Sequence, residues 1–184
     1  QFDNKYKYII LGSIDSADLP IVKNAMNNFR HCKYIIVPHE VDANSIKKIE
    51  STLNDINMNY IHLSKSKGQN INNYDCVIID SVGILLELYK YADIAYVGSG
   101  FSSGVHSIIE PLAQNCVVCY GPKIDILDEA VEITNLDIGN VINDSKELLN
   151  IFKLIEDDNK LLEIQSRGLK YINSNIGATE KIIQ

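Results

Sequence analysis

Short apolar runs alternate with stretches of helical spacing along almost the whole sequence. The runs at residues 8–11, 34–37, 60–63, 76–79, 94–97, 117–120 and 138–142 read as strands. Apart from His62 and Asn140 they are continuously apolar, the pattern of strands covered on both faces. Between them, apolar positions recur three or four apart. One helix is signalled from residues 16–18, with Pro20 tolerable in its first turn, and another from about residue 42 to 56, where Ile46, Ile49 and Leu53 share a face. Further helices are expected near residues 82–91, 108–114 and 126–134, and two more close the chain at about 146–156 and 159–173. Residues 64–74 are polar, include Gly68, Asn70, Asn72 and Asn73, and read as a mobile loop.

Strands alternating with helices imply a parallel sheet built from right-handed crossovers. The expected fold is α/β: a doubly wound, Rossmann-like sheet with helices on both faces, one domain over residues 1–184, with no repeat or internal boundary. Ligands of such sheets bind beyond the carboxyl ends of the strands. That rule selects Gly12-Ser13, Pro38-His39-Glu40, Asp80-Ser81-Val82-Gly83, residues 98–110 and Gly121-Pro122-Lys123, which should converge on one edge.

Composition narrows the ligand. Seventeen basic against 24 acidic residues give a net charge of −7, which argues against a general nucleic-acid surface. An anion would have to be held by local donors. No apolar run approaches the roughly 18 to 20 residues that span a bilayer, and a cytoplasmic domain is expected. The chain opens on Gln1 rather than Met and reads as a piece of a longer protein. Cys116 and Cys119 have the spacing of a redox or zinc pair, but in a strand residues three apart point to opposite faces, so both are expected to be buried thiols. The four histidines are scattered without a metal-ligand pattern, so no metal or cofactor is expected.

The stretch Gly98-Ser99-Gly100-Phe101-Ser102-Ser103-Gly104-Val105-His106-Ser107 carries the most chemistry. Its glycines permit close backbone approach to a ligand, and the helix behind it offers unpaired amides to an anion. It departs from the dinucleotide fingerprint in spacing and follows a late strand, which disfavours an NAD fold. A plain surface turn is the alternative. Ser107-Ile108-Ile109-Glu110 reads equally as a capping box, with Glu110 reaching back to Ser107, or as a helix start presenting Glu110 to sugar hydroxyls. His106 could donate to a phosphate or serve structure alone. His39 and Glu40 could flank a pyrimidine-sized ring or form an exposed turn. Asp80 could cap a helix or bind, and Lys123 could meet a phosphate or only solvent.

Together these segments resemble the C-terminal half of the 3-deoxy-D-manno-octulosonic acid (Kdo) transferases, two-domain glycosyltransferases of the GT-B type. The matching pieces are Gly12-Ser13, Pro38-His39-Glu40, Ile79-Asp80-Ser81-Val82-Gly83, Ala92-Asp93-Ile94-Ala95-Tyr96-Val97-Gly98, Gly104-Val105-His106-Ser107-Ile108-Ile109-Glu110-Pro111, Gly121-Pro122 and the tail Asn175-Ile176-Gly177-Ala178-Thr179. The resemblance implies one half of a GT-B fold that binds the donor, CMP-Kdo, for transfer to a lipid A precursor at the cytoplasmic face of the bacterial inner membrane. It places the donor phosphate at Gly98, Ser99, Gly100, Gly104, His106 and Ser107, the ribose at Glu110, and the cytosine beside Pro38, His39 and Glu40. The catalytic base and acceptor site would belong to an N-terminal domain, and this half alone should not turn over. The family usually has Gly-Gly where Gly98-Ser99 stands, Asn where Ser107 stands, and an arginine where Val41-Asp42-Ala43-Asn44 stands. Two other readings stay open: a GT-B domain using a UDP- or GDP-sugar, and a degenerate domain kept for assembly.

Overall fold

Alternation within each strand sends its side chains to two apolar layers, seen here in a computed structural model that describes residues 2–3 and 5–181, with side chains up to Asn175. In β1 (Tyr8–Ile14), Ile9 and Leu11 enter one core while Tyr8 and Ile10 enter the other. In β2 (Lys33–Pro38), Tyr34 and Ile36 oppose Ile35 and Val37 in the same way. The sheet is completed by β3 (Tyr60–His62), β4 (Cys76–Ile78), β5 (Ile94–Val97), β6 (Val117–Tyr120) and β7 (Gly139–Val141). Its order is β3-β4-β2-β1-β5-β6-β7, and every neighbouring pair is parallel.

Three helices, α1 (Leu19–Asn27), α2 (Ala43–Asp55) and α6 (Ser145–Phe152), cover the first face through Met26, Leu53 and Phe152. The second face is covered by α3 (Leu85–Tyr89), α4 (Ile109–Ala113) and α5 (Asp128–Asn135), through Tyr89, Leu112 and Ile133. The long α7 (Asp158–Lys181) gives Leu161 and Ile164 to the first core and Tyr171 to the second. This is the doubly wound architecture that the apolar runs imply.

Several local expectations change. The third helix starts at Leu85 rather than near 82, because Gly83 adopts φ +83° and interrupts any earlier turn. Residues 64–74 are tied down rather than looped out. They lie among two 3-10 turns (Leu63–Lys65 and Ile71–Asn73), bury Ile71, and receive a 2.6 Å hydrogen bond from Tyr8 Oη at Asn72 Oδ1. Cys116 and Cys119 enter opposite cores as free thiols, and burial pushes both above the usual thiol range. The tail motif from Ile176 to Thr179 lies outside the described side chains. No helix among the described residues is long and apolar enough to cross a membrane.

The strand order locates a crevice. From β1 the chain builds β2, β3 and β4 on one side, then returns to lay β5 against the other side of β1. At that reversal the helices that follow β1 and β5, α1 and α4, lie on opposite faces, and such sheets hold ligands at that point.

Candidate functional site

Close backbone approach sets the frame of the crevice. The Gly98 amide donates to Gly12 O at 2.8 Å, and a Cβ on Gly98 would lie 2.4 Å from Ser13 O. Gly100 presses on Gly121 from the next strand end, where a Cβ would lie 2.6 Å from the Gly121 nitrogen. The loops after β1, β5 and β6 therefore form one packed rim. Lys123 reinforces it: its amide donates to Gly100 O at 3.0 Å and its Nζ to Ser102 O at 2.5 Å. That exposed lysine braces the loop through one of its three ammonium hydrogens.

The glycine-rich loop is partly closed on itself, so the amides of Ser99, Ser102, Gly104 and Val105 are already spent on protein acceptors. Ser99 is fully buried at φ +66°, and its amide donates to Asp18 Oδ2 at 2.9 Å. The amides of Ser102 and Gly104 both return to Ser99 O, at 3.0 and 2.9 Å, and Val105 donates to Lys123 O at 3.1 Å. The amides of His106, Ser107 and Ile108 follow, and none has a protein acceptor among the described residues. The amides of Gly100, Phe101 and Ser103 likewise have no protein acceptor among the described residues, so unpaired donors also lie within the loop. Helix α4 spans only five residues and starts at Ile109, so its dipole is small and the extended segment ahead of it is the donor strip.

The capping box does not form. The residue before α4 is Ile108, and no side chain caps the helix. Glu110 is exposed and its carboxylate has no hydrogen-bond partner among the described residues, although its charge helps to raise the neighbouring Tyr89 phenol, whose main cause is burial. Asp80 is likewise no helix cap. It accepts from the Ser64 amide at 2.9 Å and from Ser64 Oγ, and lies 3.5 Å from His62 Nδ1.

Two of the expected residues meet directly. His39 and His106, both exposed, stack with ring centroids 4.9 Å apart and planes 6° from parallel. The His39 amide donates to Ile14 O at 2.9 Å, which ties the end of β2 to that of β1. Pro38 is buried and Glu40 is exposed. A cavity of about 370 Å³ opens beside this pair, between the loop after β1 and the start of α2; of the expected residues only His39 and Glu40 line it. Residues 98–110 do not line that cavity, although Ser102 bonds to Asp15, which does.

Sequence reading passed over the acidic pair behind the loop. Asp15 accepts from Ser102 Oγ and from the Ala17 amide at 2.7 Å. Burial alone would raise its carboxyl, but these hydrogen bonds hold it below the usual carboxylate range. Asp18 is fully buried and accepts from Tyr96 Oη at 2.6 Å. An acidic residue just before a helix reads as a helix start, which is the signal Asp18 gave; its partners lie some 80 residues away in sequence. No group of His, Cys, Asp and Glu among the described residues has the arrangement of a metal site.

No protein-family model matches the chain. A bifunctional glycosyltransferase/methyltransferase from Fusobacterium nucleatum is 26% identical over 155 residues, covering 83% of this chain and 24% of the relative. A 3-deoxy-D-manno-octulosonic acid transferase from Chlamydia muridarum is 27% identical over 173 residues, covering 91% of this chain and 39% of the relative. The chain therefore spans well under half the length of these curated relatives. Among solved structures, the C-terminal CMP-Kdo binding domain of WaaA from Acinetobacter baumannii superposes with a TM-score of 0.72 at 19% identity, covering 89% of each chain. By sequence the chain is a relative of the 3-deoxy-D-manno-octulosonic acid transferases, and by fold it is a Rossmann-like domain of the GT-B glycosyltransferase type.

Proposed function

We propose that the chain holds the donor of a glycosyltransferase that moves Kdo from CMP-Kdo to a lipid A precursor at the cytoplasmic face of the bacterial inner membrane. The observation that carries this reading is the juxtaposition of the unpartnered amides of residues 106–108 with the stacked His39–His106 pair at the sheet's switch point. Backbone donors fixed in place stabilise a developing phosphate charge without reorganising, which suits a departing cytidine monophosphate. In this reading His106 and Ser107 flank that phosphate, Glu110 accepts from the ribose hydroxyls, and His39 and Glu40 border the base above Pro38. Gly98, Ser99, Gly100 and Gly104 act one step back, by shaping the rim. Relatives named as Kdo transferases and a like-folded CMP-Kdo binding domain favour this donor.

The reaction is a direct displacement at the anomeric carbon, with the base and the acceptor supplied by a second domain. Titration of the labelled chain with CMP is expected to shift the amides of residues 106–110 at sub-millimolar to millimolar ligand, ahead of UMP and GMP. Equal or stronger responses to UMP or GMP would move the assignment to another nucleotide sugar, and no response to any nucleotide would remove it.

A further inference from the structure

Among the described residues, Asp18 is the one carboxylate with no exposed surface, at 0%. Burying a charge is costly unless donors compensate it, so its retention calls for a reason. Its three donors come from three places. Tyr96 Oη on β5 reaches Oδ1 at 2.6 Å, while the amides of Ser99 and Asp15 share Oδ2, each at 2.9 Å.

The Ser99 bond is the informative one. Ser99 is left-handed at φ +66°, and its carbonyl receives both the Ser102 and Gly104 amides, so the whole turn hangs from this residue. The Asp15 bond fixes the loop after β1, whose own carboxylate holds Ser102. One carboxylate thereby ties the loop after β1 to the loop after β5 and fixes the turn that leads to residues 106–108.

We infer that Asp18 is a positioning residue for donor binding: through its bonds to the Ser99 and Asp15 amides it aims the Ser99 turn so that the amides of residues 106–108 face the ligand phosphate. This rests on the donor-binding reading above. Asp18 itself touches no ligand. A residue that only stabilised the fold would change the melting temperature and leave the affinity of the folded protein untouched, and the two roles separate on that point.

The test is CMP affinity at a temperature where each variant is fully folded. Asp18→Ala removes every acceptor and is expected to raise Kd about tenfold or more, as displaced site groups do. Asp18→Asn can still accept the two amides while its NH2 donates to the Tyr96 hydroxyl, and should bring Kd back to within about threefold of wild type. Tyr96→Phe leaves both amide bonds in place, so it should lower the melting temperature with Kd within about twofold of wild type. Folded Asp18→Ala with wild-type affinity would overturn the inference. If that variant does not fold, the wild-type titration decides: the buried Ser99 amide should shift with the same midpoint as residues 106–108, and an unmoved Ser99 resonance would count against it. A wild-type chain that ignores CMP removes the donor-binding reading, and this inference falls with it; CMP binding that is indifferent to Asp18 removes this inference alone.

Discussion

The imidazoles of His39 and His106 lie face to face, centroids 4.9 Å apart, although they belong to loops after different strands. Each ring limits where the other can go, so their contributions to ligand binding should be coupled. His106→Ala is expected to weaken CMP binding about tenfold, the loss of one charge-assisted hydrogen bond, and His39→Ala by less. The double variant should fall short of the product of the two effects, as residues in contact do. Calorimetric titration of the four proteins closes the cycle; effects that multiply cleanly would show that the stack plays no part in binding.

Glu110 offers a sharper separation of roles. It is exposed and uncapped, so Glu110→Ala should leave the urea midpoint nearly unchanged, within about 0.5 kcal/mol. CMP affinity should drop about tenfold through lost bonds to the ribose, and 2′-deoxy-CMP should bind the variant and wild type more nearly alike. A large loss of stability would restore the capping role that the structure denies it.

What was legible in the sequence follows from what is local. Seven runs marked seven strands because most are apolar on both faces, with only His62 in β3 and Asn140 in β7 interrupting, and the convergence of their carboxyl ends followed from parallel topology. His39 stood out because it follows β2 directly, and His106 and Glu110 because they close the glycine-rich stretch that follows β5. The closure of the glycine-rich loop did not show, because it depends on contacts distant in sequence: Ser99 with Asp18, Gly100 with Gly121, Ser102 with Lys123. Three glycines in a row of small residues signal a backbone that packs closely, but not whether the partner is a ligand or another loop. The capping box failed for a related reason. Residues 105–108 follow the rim instead of turning into a helix, so Ser107 never reaches a cap position.

Gly100 tests that reading of the glycines. A methyl group there would lie 2.6 Å from the Gly121 nitrogen, backbone against backbone, with no flexible side chain to yield. Gly100→Ala should therefore destabilise the fold by about 1 to 3 kcal/mol, a cost of overpacking. Under a ligand-cradling role the glycine would face open space, and alanine would reduce CMP binding with little change in the denaturant midpoint. Measuring both quantities on one variant tells the two apart.

The pH dependence of stability carries a signature of Asp18. Burial pushes its carboxyl above the usual range, more than the hydrogen bonds from Tyr96, Asp15 and Ser99 pull it down. A raised folded value means that folding favours the protonated form. The contribution to stability is therefore fully present below the unfolded value, near 3.8, and is lost as pH rises through the folded one. Asp15 and Asp80 run the other way: their lowered carboxyls contribute stability above that unfolded value, which is lost as pH falls through their folded ones. The raw stability curve mixes the two signs, but Asp18→Asn keeps Asp15 and Asp80 and removes only the buried titration. The stability of wild type minus that of Asp18→Asn should thus fall as pH climbs from acid toward neutral, measured by urea denaturation in steps across that range. A difference that stayed flat would mean that folding does not change the proton affinity of Asp18, and one that rose would mean that its three donors outweigh its burial.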